Sequence, residues 1–257
     1  MSPTSSPPPK GGRFFIIGAQ RCGTTYLYEM MEGHPQVRLA RPKRPEPKWF
    51  LDQAKAALGP QAWEKELFPD GPGPWSGEKG TSYLEHPEAA SAILSVLPEA
   101  RFLAILREPV ARAVSNYRFS KDNGVETLPL EKALDPERPA RDYDRSRFSA
   151  SPFAYLERGR YVEYLEAWAA KVPKGRLHVL LFEELTGGDG ALNGVWSFLG
   201  LPPHRPKDLG RIVNAAQEPM PEIPPGLLKG LRDHFEEPNR RLEKFLGRPL
   251  DAWKARP

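Results

Sequence analysis

The chain has 257 residues, 39% of them apolar, enough for one α/β domain with a sizeable core and an ordinary globular composition. A formal charge of +4, with no long basic run, is no nucleic-acid signature, so no nucleic-acid partner is expected. No stretch approaches the roughly 18 to 20 apolar residues of a spanning helix. The single cysteine, Cys22, rules out an internal disulfide framework, and no zinc spacing exists, so no metal is expected.

Residues Met1–Gly12 are rich in Ser, Pro and Gly and lack an apolar signal core, which predicts a disordered leader before one domain over residues 13–257. An apolar strand, Phe14–Ile17, runs into a glycine-flanked turn and a helix over Thr24–Glu32, stopped by Gly33-His34-Pro35. Gln36–Pro47 reads as irregular, punctuated by three prolines, and helical pattern returns between Trp49 and Leu67. A short strand at Trp75–Lys79 precedes a helix over Pro87–Leu97. Strand Arg101–Leu106 leads into a helix over Pro109–Asn123. Gly124–Ser151 is charged and aperiodic, which predicts a long mobile loop. Apolar and aromatic residues recur at helical spacing from Pro152 to Val172, a buried strand follows at Leu177–Phe182, and short helices are expected at Glu183–Leu185 and Leu192–Leu199. Ile212–Pro225 reads as irregular, and a final helix pair spans Gly226–Leu246, broken near Pro238-Asn239. Strands alternating with helices predict an α/β fold: a central parallel sheet flanked by helices.

The turn after the first strand, Gly18-Ala19-Gln20-Arg21-Cys22-Gly23-Thr24-Thr25, points amides outward at a helix N-terminus, where they can hold an anion. A nucleotide-hydrolysing phosphate loop carries lysine immediately after its second glycine. Here that position is Thr24, and the basic residue sits upstream at Arg21. The loop therefore suits a phosphate but not the β/γ-phosphates and Mg²⁺ of a triphosphate. A second segment, Phe102–Tyr117, ends a strand at Arg107, opens a helix at Pro109 and places Ser115 two turns in.

Together these segments resemble the sulfotransferases that use 3′-phosphoadenosine 5′-phosphosulfate (PAPS), of the bacterial and carbohydrate-modifying type. The family carries a 5′-phosphosulfate loop and a strand–R-[DE]-P-V-x-R-A-x-S-x-Y–helix segment in the same order. The resemblance implies a P-loop-like sulfotransferase fold. It places the 5′-phosphosulfate on Gly18, Arg21, Cys22, Gly23, Thr24 and Thr25, and the 3′-phosphate on Arg107 and Ser115. Thr24 and Thr25 are expected to combine helix capping with phosphate contact. Where the family usually has a loop lysine, this chain has Arg21, which can hold the leaving phosphate by charge and forked hydrogen bonding but cannot donate a proton to it. Cys22 also reads as a small filler in a tight turn. Gly159-Arg160-Tyr161 resembles a G-x-Y segment near the cofactor, although Tyr161 equally fits an apolar helical stripe.

Glu46-Pro47-Lys48-Trp49-Phe50 resembles the family's K-E-P-[HK]-[FY]-F element, which makes Glu46 the expected general base; Lys48 would pair with it or face the sulfuryl group. Arg41, Lys43, Arg44 and Lys48 crowd the same loop and are expected to favour its ionised form. Gly77–Tyr83 resembles the G-E-K-[ST]-P-x-Y element, with Lys79 as a second cation on the transferring group. The expected activity is sulfuryl transfer from PAPS to a hydroxyl of a sugar, lipid or secondary metabolite. A small-molecule P-loop kinase and a non-catalytic module that binds the product nucleotide PAP (3′-phosphoadenosine 5′-phosphate) are the alternatives. Animal carbohydrate-type members sit behind a membrane anchor, and none is seen here, which predicts a cytoplasmic enzyme. Acceptor pockets are expected from loops Arg38–Lys48, Gly124–Ser151 and Ile212–Pro225.

Overall fold

A computed structural model describes residues 11–206 and 221–254. The expected leader lies almost entirely outside the described residues, as does most of the irregular stretch 212–225. The described elements are β1 (Gly12–Gly18), α1 (Thr24–Glu32), β2 (Val37–Leu39), α2 (Gln53–Ala56), α3 (Gly59–Leu67), β3 (Trp75–Lys79), α4 (Glu88–Val96), β4 (Arg101–Leu106), α5 (Pro109–Asp122), α6 (Leu130–Ala133), α7 (Tyr161–Ala169), β5 (Leu177–Leu181), α8 (Phe182–Thr186), α9 (Gly190–Leu199), α10 (Pro225–Leu246) and α11 (Asp251–Lys254). Single 3₁₀ turns occupy Trp49–Leu51 and Glu157–Gly159.

All five strands are parallel, in the order β2-β3-β1-β4-β5. The chain leaves β1, builds β2 and β3 on one side, then crosses to build β4 and β5 on the other. That reversal makes the carboxyl end of β1 a switch point, where open α/β sheets place ligands. β1 and β4 are buried on both faces, so they read as continuous apolar runs rather than alternating ones. Phe15 sits at the centre, with ring centroids 5.7 Å from Trp63 and 6.0 Å from Phe102.

Four sequence expectations change. Gln36–Pro47 contains β2, a three-residue edge strand too short to show a period. The helix expected from Pro152 starts only at Tyr161. Side chains of α5 take the carbonyls before it: Asn116 and Ser120 donate to Pro152 and Arg112 donates to Tyr155, which holds that backbone out of a helix. α10 runs unbroken through Pro238. An internal proline costs about 3 kcal/mol, but Leu231, Phe235, Pro238 and Leu242 form one buried stripe that holds the helix on its neighbours.

The segment expected as a mobile loop, Gly124–Ser151, is instead anchored. It carries α6, and the Glu126 carboxylate is buried among Arg138, Arg141, the Tyr155 hydroxyl and the amides of Thr127 and Leu128. Leu134 and Tyr155 join Tyr117, Leu231 and Phe235 in a second apolar cluster between α5 and α10. Among the described residues, no helix is long and apolar enough to cross a membrane.

Candidate active site

β1 delivers the phosphate loop to the switch point. The Ala19 amide donates to Ile105 O (2.8 Å) and the Cys22 amide to Ala19 O (3.2 Å), so the loop folds over the end of β4. Gly23 has φ 87° and is the N-cap of α1. A Cβ there would lie 2.3 Å from the Phe182 ring, so both conformation and space require glycine. At Gly18 a Cβ would meet Leu84 at 2.8 Å; this glycine serves packing under the loop.

No side chain caps α1. Thr24 and Thr25 are its first two residues and do not cap it, contrary to expectation. The amides of Gly23, Thr24 and Thr25 at this helix start could meet an anion, with the positive end of the helix dipole behind them.

Arg21 has φ 67°, a left-handed conformation uncommon for a side-chain-bearing residue. It turns the side chain across to α5. Its Nε donates to Ser115 Oγ at 3.2 Å, and its guanidinium lies 4.9 Å over the Phe119 ring. Burial first, then the neighbouring Arg107 charge, lowers its pKa. Arg107 follows β4, its guanidinium 5.4 Å over the Phe182 ring, with a buried Nε that has no hydrogen-bond partner. Glu108 does not neutralise it by pairing. Both Glu108 oxygens cap α5, accepting from the amides of Val110 (3.0 Å) and Ala111 (2.6 Å). The structure thus gathers Arg21, Arg107 and Ser115. Among the described residues, no carboxylate hydrogen-bonds either arginine.

Cys22 and Tyr161, expected on the cofactor, lie beneath this cluster. Tyr161 is buried and donates to the Arg107 carbonyl at 2.8 Å, fixing the backbone that carries Arg107. The Cys22 sulfur lies 3.4 Å from the Tyr161 hydroxyl, and burial pushes its thiol up to about 11, which keeps it protonated and inert.

The second half of the site stands at the end of β3. Glu46 Oε1 accepts from Lys79 Nζ (2.8 Å), and Oε2 accepts from the amide and hydroxyl of Thr81 (both 2.8 Å). Lys79 is 3% exposed, so a cation is held under the carboxylate in a poorly solvated place. The surrounding basic residues are mostly committed elsewhere: Arg41 pairs with Glu32 and Lys43 with Glu29. Lys48 donates to Ser149 Oγ at 2.7 Å, and burial lowers its pKa while the nearby Glu46 opposes the shift.

Glu78, the residue before Lys79, is fully buried. It accepts from the Trp49 amide (3.0 Å), Trp63 Nε1 (2.8 Å) and the Tyr83 hydroxyl (2.7 Å). Tyr83 in turn accepts from the Phe50 amide at 3.1 Å. This network pins the backbone just after Glu46 onto β3.

Desolvation raises the Glu78 pKa. Its contribution to stability is therefore present below the unfolded-state value of about 4.5 and is lost as pH rises through the folded-state value. Glu78→Gln places an amide N–H₂ against one of three donors and is expected to cost about 1–3 kcal/mol. Urea melts at about pH 4 and about pH 8 check the sign: the wild-type advantage narrows at the higher pH. A gap that widens with pH would show the carboxylate to be stabilised by its three donors.

Arg158 joins the two halves. It is 3% exposed, donates from Nε to Glu85 (2.5 Å) and also bonds Gln20 of the phosphate loop. Arg158, Thr81 and Glu78, which contact the candidate site residues or brace their backbone, were not expected from the sequence. Each lies in or beside a segment already singled out, but nothing local distinguishes a side chain turned into the site from one turned into solvent.

A family model described as "Sulfotransferase family" matches residues 42–205. Its range includes Glu46, Lys48, Lys79, Arg107, Ser115 and Tyr161 and begins after the phosphate loop. Among curated proteins, the mouse heparan sulfate glucosamine 3-O-sulfotransferase 3B1 is 27% identical over 259 residues, covering 91% of this chain and 63% of the relative. The human bifunctional heparan sulfate N-deacetylase/N-sulfotransferase 3 is 26% identical over 271 residues, covering 94% of this chain and 31% of the relative. The chain thus spans less than two thirds of these relatives. Among solved structures, a sulfotransferase from Alicyclobacillus acidocaldarius superposes with a TM-score of 0.72 at 25% identity, covering 95% of this chain and 98% of that one. The sulfotransferase domain from the curacin biosynthetic pathway (TM-score 0.53, 15% identity, 93% and 99% coverage) shares the fold.

Proposed function

The chain belongs to the sulfotransferase family, and we propose that it moves a sulfuryl group from PAPS to a hydroxyl of a sugar, lipid or secondary metabolite by in-line transfer. The observation that carries this reading is the pairing of opposites at the carboxyl end of the sheet. Arg21 and Arg107 meet with no carboxylate partner among the described residues, while Glu46 stands at the next strand with its own lysine. The first half suits a polyanion and the second suits a hydroxyl that must lose a proton.

PAPS fits the cation cluster. The buried, partnerless Nε of Arg107 and the Ser115 hydroxyl would hold its 3′-phosphate, and the uncapped amides at Gly23, Thr24 and Thr25 would hold its 5′-phosphosulfate. When bound, PAPS supplies the sulfuryl group. Arg21 spans the two regions, contributing charge to both without giving up a proton. Glu46 accepts the acceptor's proton at Oε1, which holds one hydrogen bond where Oε2 holds two. Lys79 and Thr81 fix the carboxylate while this happens, and Lys48 adds positive charge beside it. The named activity of the heparan sulfate relatives supports a sugar as one acceptor class.

The test is ligand-induced stabilisation. PAP at a hundredfold excess over its Kd is expected to stabilise the protein by about 2.7 kcal/mol, read as a rise in Tm without Mg²⁺. A shift with ATP and Mg²⁺ but none with PAP would replace this reading with that of a small-molecule kinase. A PAP shift with no turnover of PAPS on any hydroxylated acceptor would leave a nucleotide-binding module.

A further inference from the structure

Beside the cation cluster lies a cavity of about 170 Å³ that none of the roles above uses. Its lining includes Gln20 of the phosphate loop, Phe119 and Asn123 of α5, Arg147 and Phe148 of the loop beyond it, and Arg158. Ser115, Phe119 and Asn123 are spaced four residues apart, so one face of α5 runs from the cation cluster into the cavity.

The loop that closes the cavity is fastened to the base side of the site. Ser149 accepts from Lys48 Nζ (2.7 Å) and donates to Ser82 (2.9 Å), and its carbonyl lies 2.7 Å from His86 Nε2. The loop that lines the cavity is thus tied to Lys48, two residues from Glu46.

The walls specify the occupant. Phe119 keeps 43% of its surface exposed, an unusual state for a phenylalanine on a helix that otherwise buries its apolar face. Phe148 of the loop lines the same cavity. A cavity of about 150 Å³ takes up one benzene, so this space admits one six-membered ring and not a folded acyl chain. Two arginines line it, and no carboxylate does. Arg158 lines it nearly fully buried, its Nε paired with Glu85 and its Nη2 without a hydrogen-bond partner. Arg147 stands at the rim over the Phe148 ring. The nearest acid in sequence, Asp144, accepts from the amide and hydroxyl of Ser146.

We propose that this cavity is the acceptor subsite and that it selects a hydroxylated six-membered ring bearing an anionic substituent, the ring held between Phe119 and Phe148 and the anion by Arg147 and Arg158. The proposal rests on the sulfotransferase reading and narrows its acceptor from any hydroxyl compound to an acidic ring. Both aryl and sugar rings present this chemistry, and the experiment separates them.

Binding of four probes to the PAP-loaded protein is measured by calorimetry: 4-hydroxybenzoate beside phenol, and glucuronate beside glucose. In at least one pair the acidic member is expected to bind about tenfold tighter than its neutral twin, and the pair that shows this identifies the ring. Arg147→Gln is expected to abolish the preference, and Phe148→Ala to weaken both members of that pair about tenfold. Both substitutions fall on the surface loop, and PAP affinity is expected to be unchanged in each. Equal binding of the twins in both pairs, no binding by any probe, or a preference that survives Arg147→Gln would overturn the assignment while PAP still binds. Loss of PAP binding by the wild type would instead sink the donor reading beneath it.

Discussion

Glu46→Gln is expected to lower kcat by about 10²- to 10⁴-fold, the range a positioned general base contributes. The acid limb of the pH–rate profile should vanish with it, because only the carboxylate can take the acceptor's proton. The geometry adds a second consequence. Glutamine can still accept from Thr81 through its oxygen, but its N–H₂ then faces the Lys79 ammonium, which is 3% exposed. Stranding a buried cation is costly, on the order of 3–5 kcal/mol when one partner of a buried pair is removed.

The experiment therefore needs two variants and two controls. Glu46→Asp keeps the charge beside Lys79 but retracts the carboxylate by one methylene, so it should recover most of the lost Tm and little of the lost kcat. PAP affinity, read for both variants, should stay within about twofold of wild type. If kcat is unchanged in Glu46→Gln while Tm falls, Glu46 is a partner for Lys79 and nothing more, and the base must be sought at Lys48 or Lys79.

Arg107→Ala should reduce PAP affinity by one to two orders of magnitude, since hydrogen bonds to a charged group contribute about 1.5–3 kcal/mol and each 1.4 kcal/mol is tenfold. Its head group stacks on Phe182, its carbonyl is held by Tyr161, and its Nε waits buried without a partner. Little reorganisation is then needed to meet a phosphate. Adenosine 5′-phosphosulfate lacks the 3′-phosphate and should lose little affinity in the same variant. Equal losses for the two ligands would move the 3′-phosphate away from Arg107. Tyr161→Phe offers a milder check on positioning: it keeps the ring in the core, removes the bond to the Arg107 carbonyl, and should weaken PAP more than adenosine 5′-phosphosulfate.

The sequence by itself determined the α/β class, four of the five strands and the segments that carry the candidate site. Strands buried on both faces are continuous apolar runs, and a phosphate loop is a local object: a strand, two glycines and a helix start within twelve residues. The placement of Arg107 at a strand end and of Ser115 two turns into a helix could be read for the same reason, because strand end and helix turn are set by near neighbours. What the tertiary structure alone decided is which side chains meet. Glu46 takes Lys79, 33 residues on, and not the cations beside it in the loop, because β2, which leads into that loop, pairs in parallel with β3, which ends at Lys79. Arg21 reaches Ser115 across 94 residues, Arg158 reaches Gln20 across 138, and the Cys22 and Tyr161 side chains meet in the buried interior. Such meetings depend on sheet order, strand register and the hand of each crossover, and no local period in a chain records these.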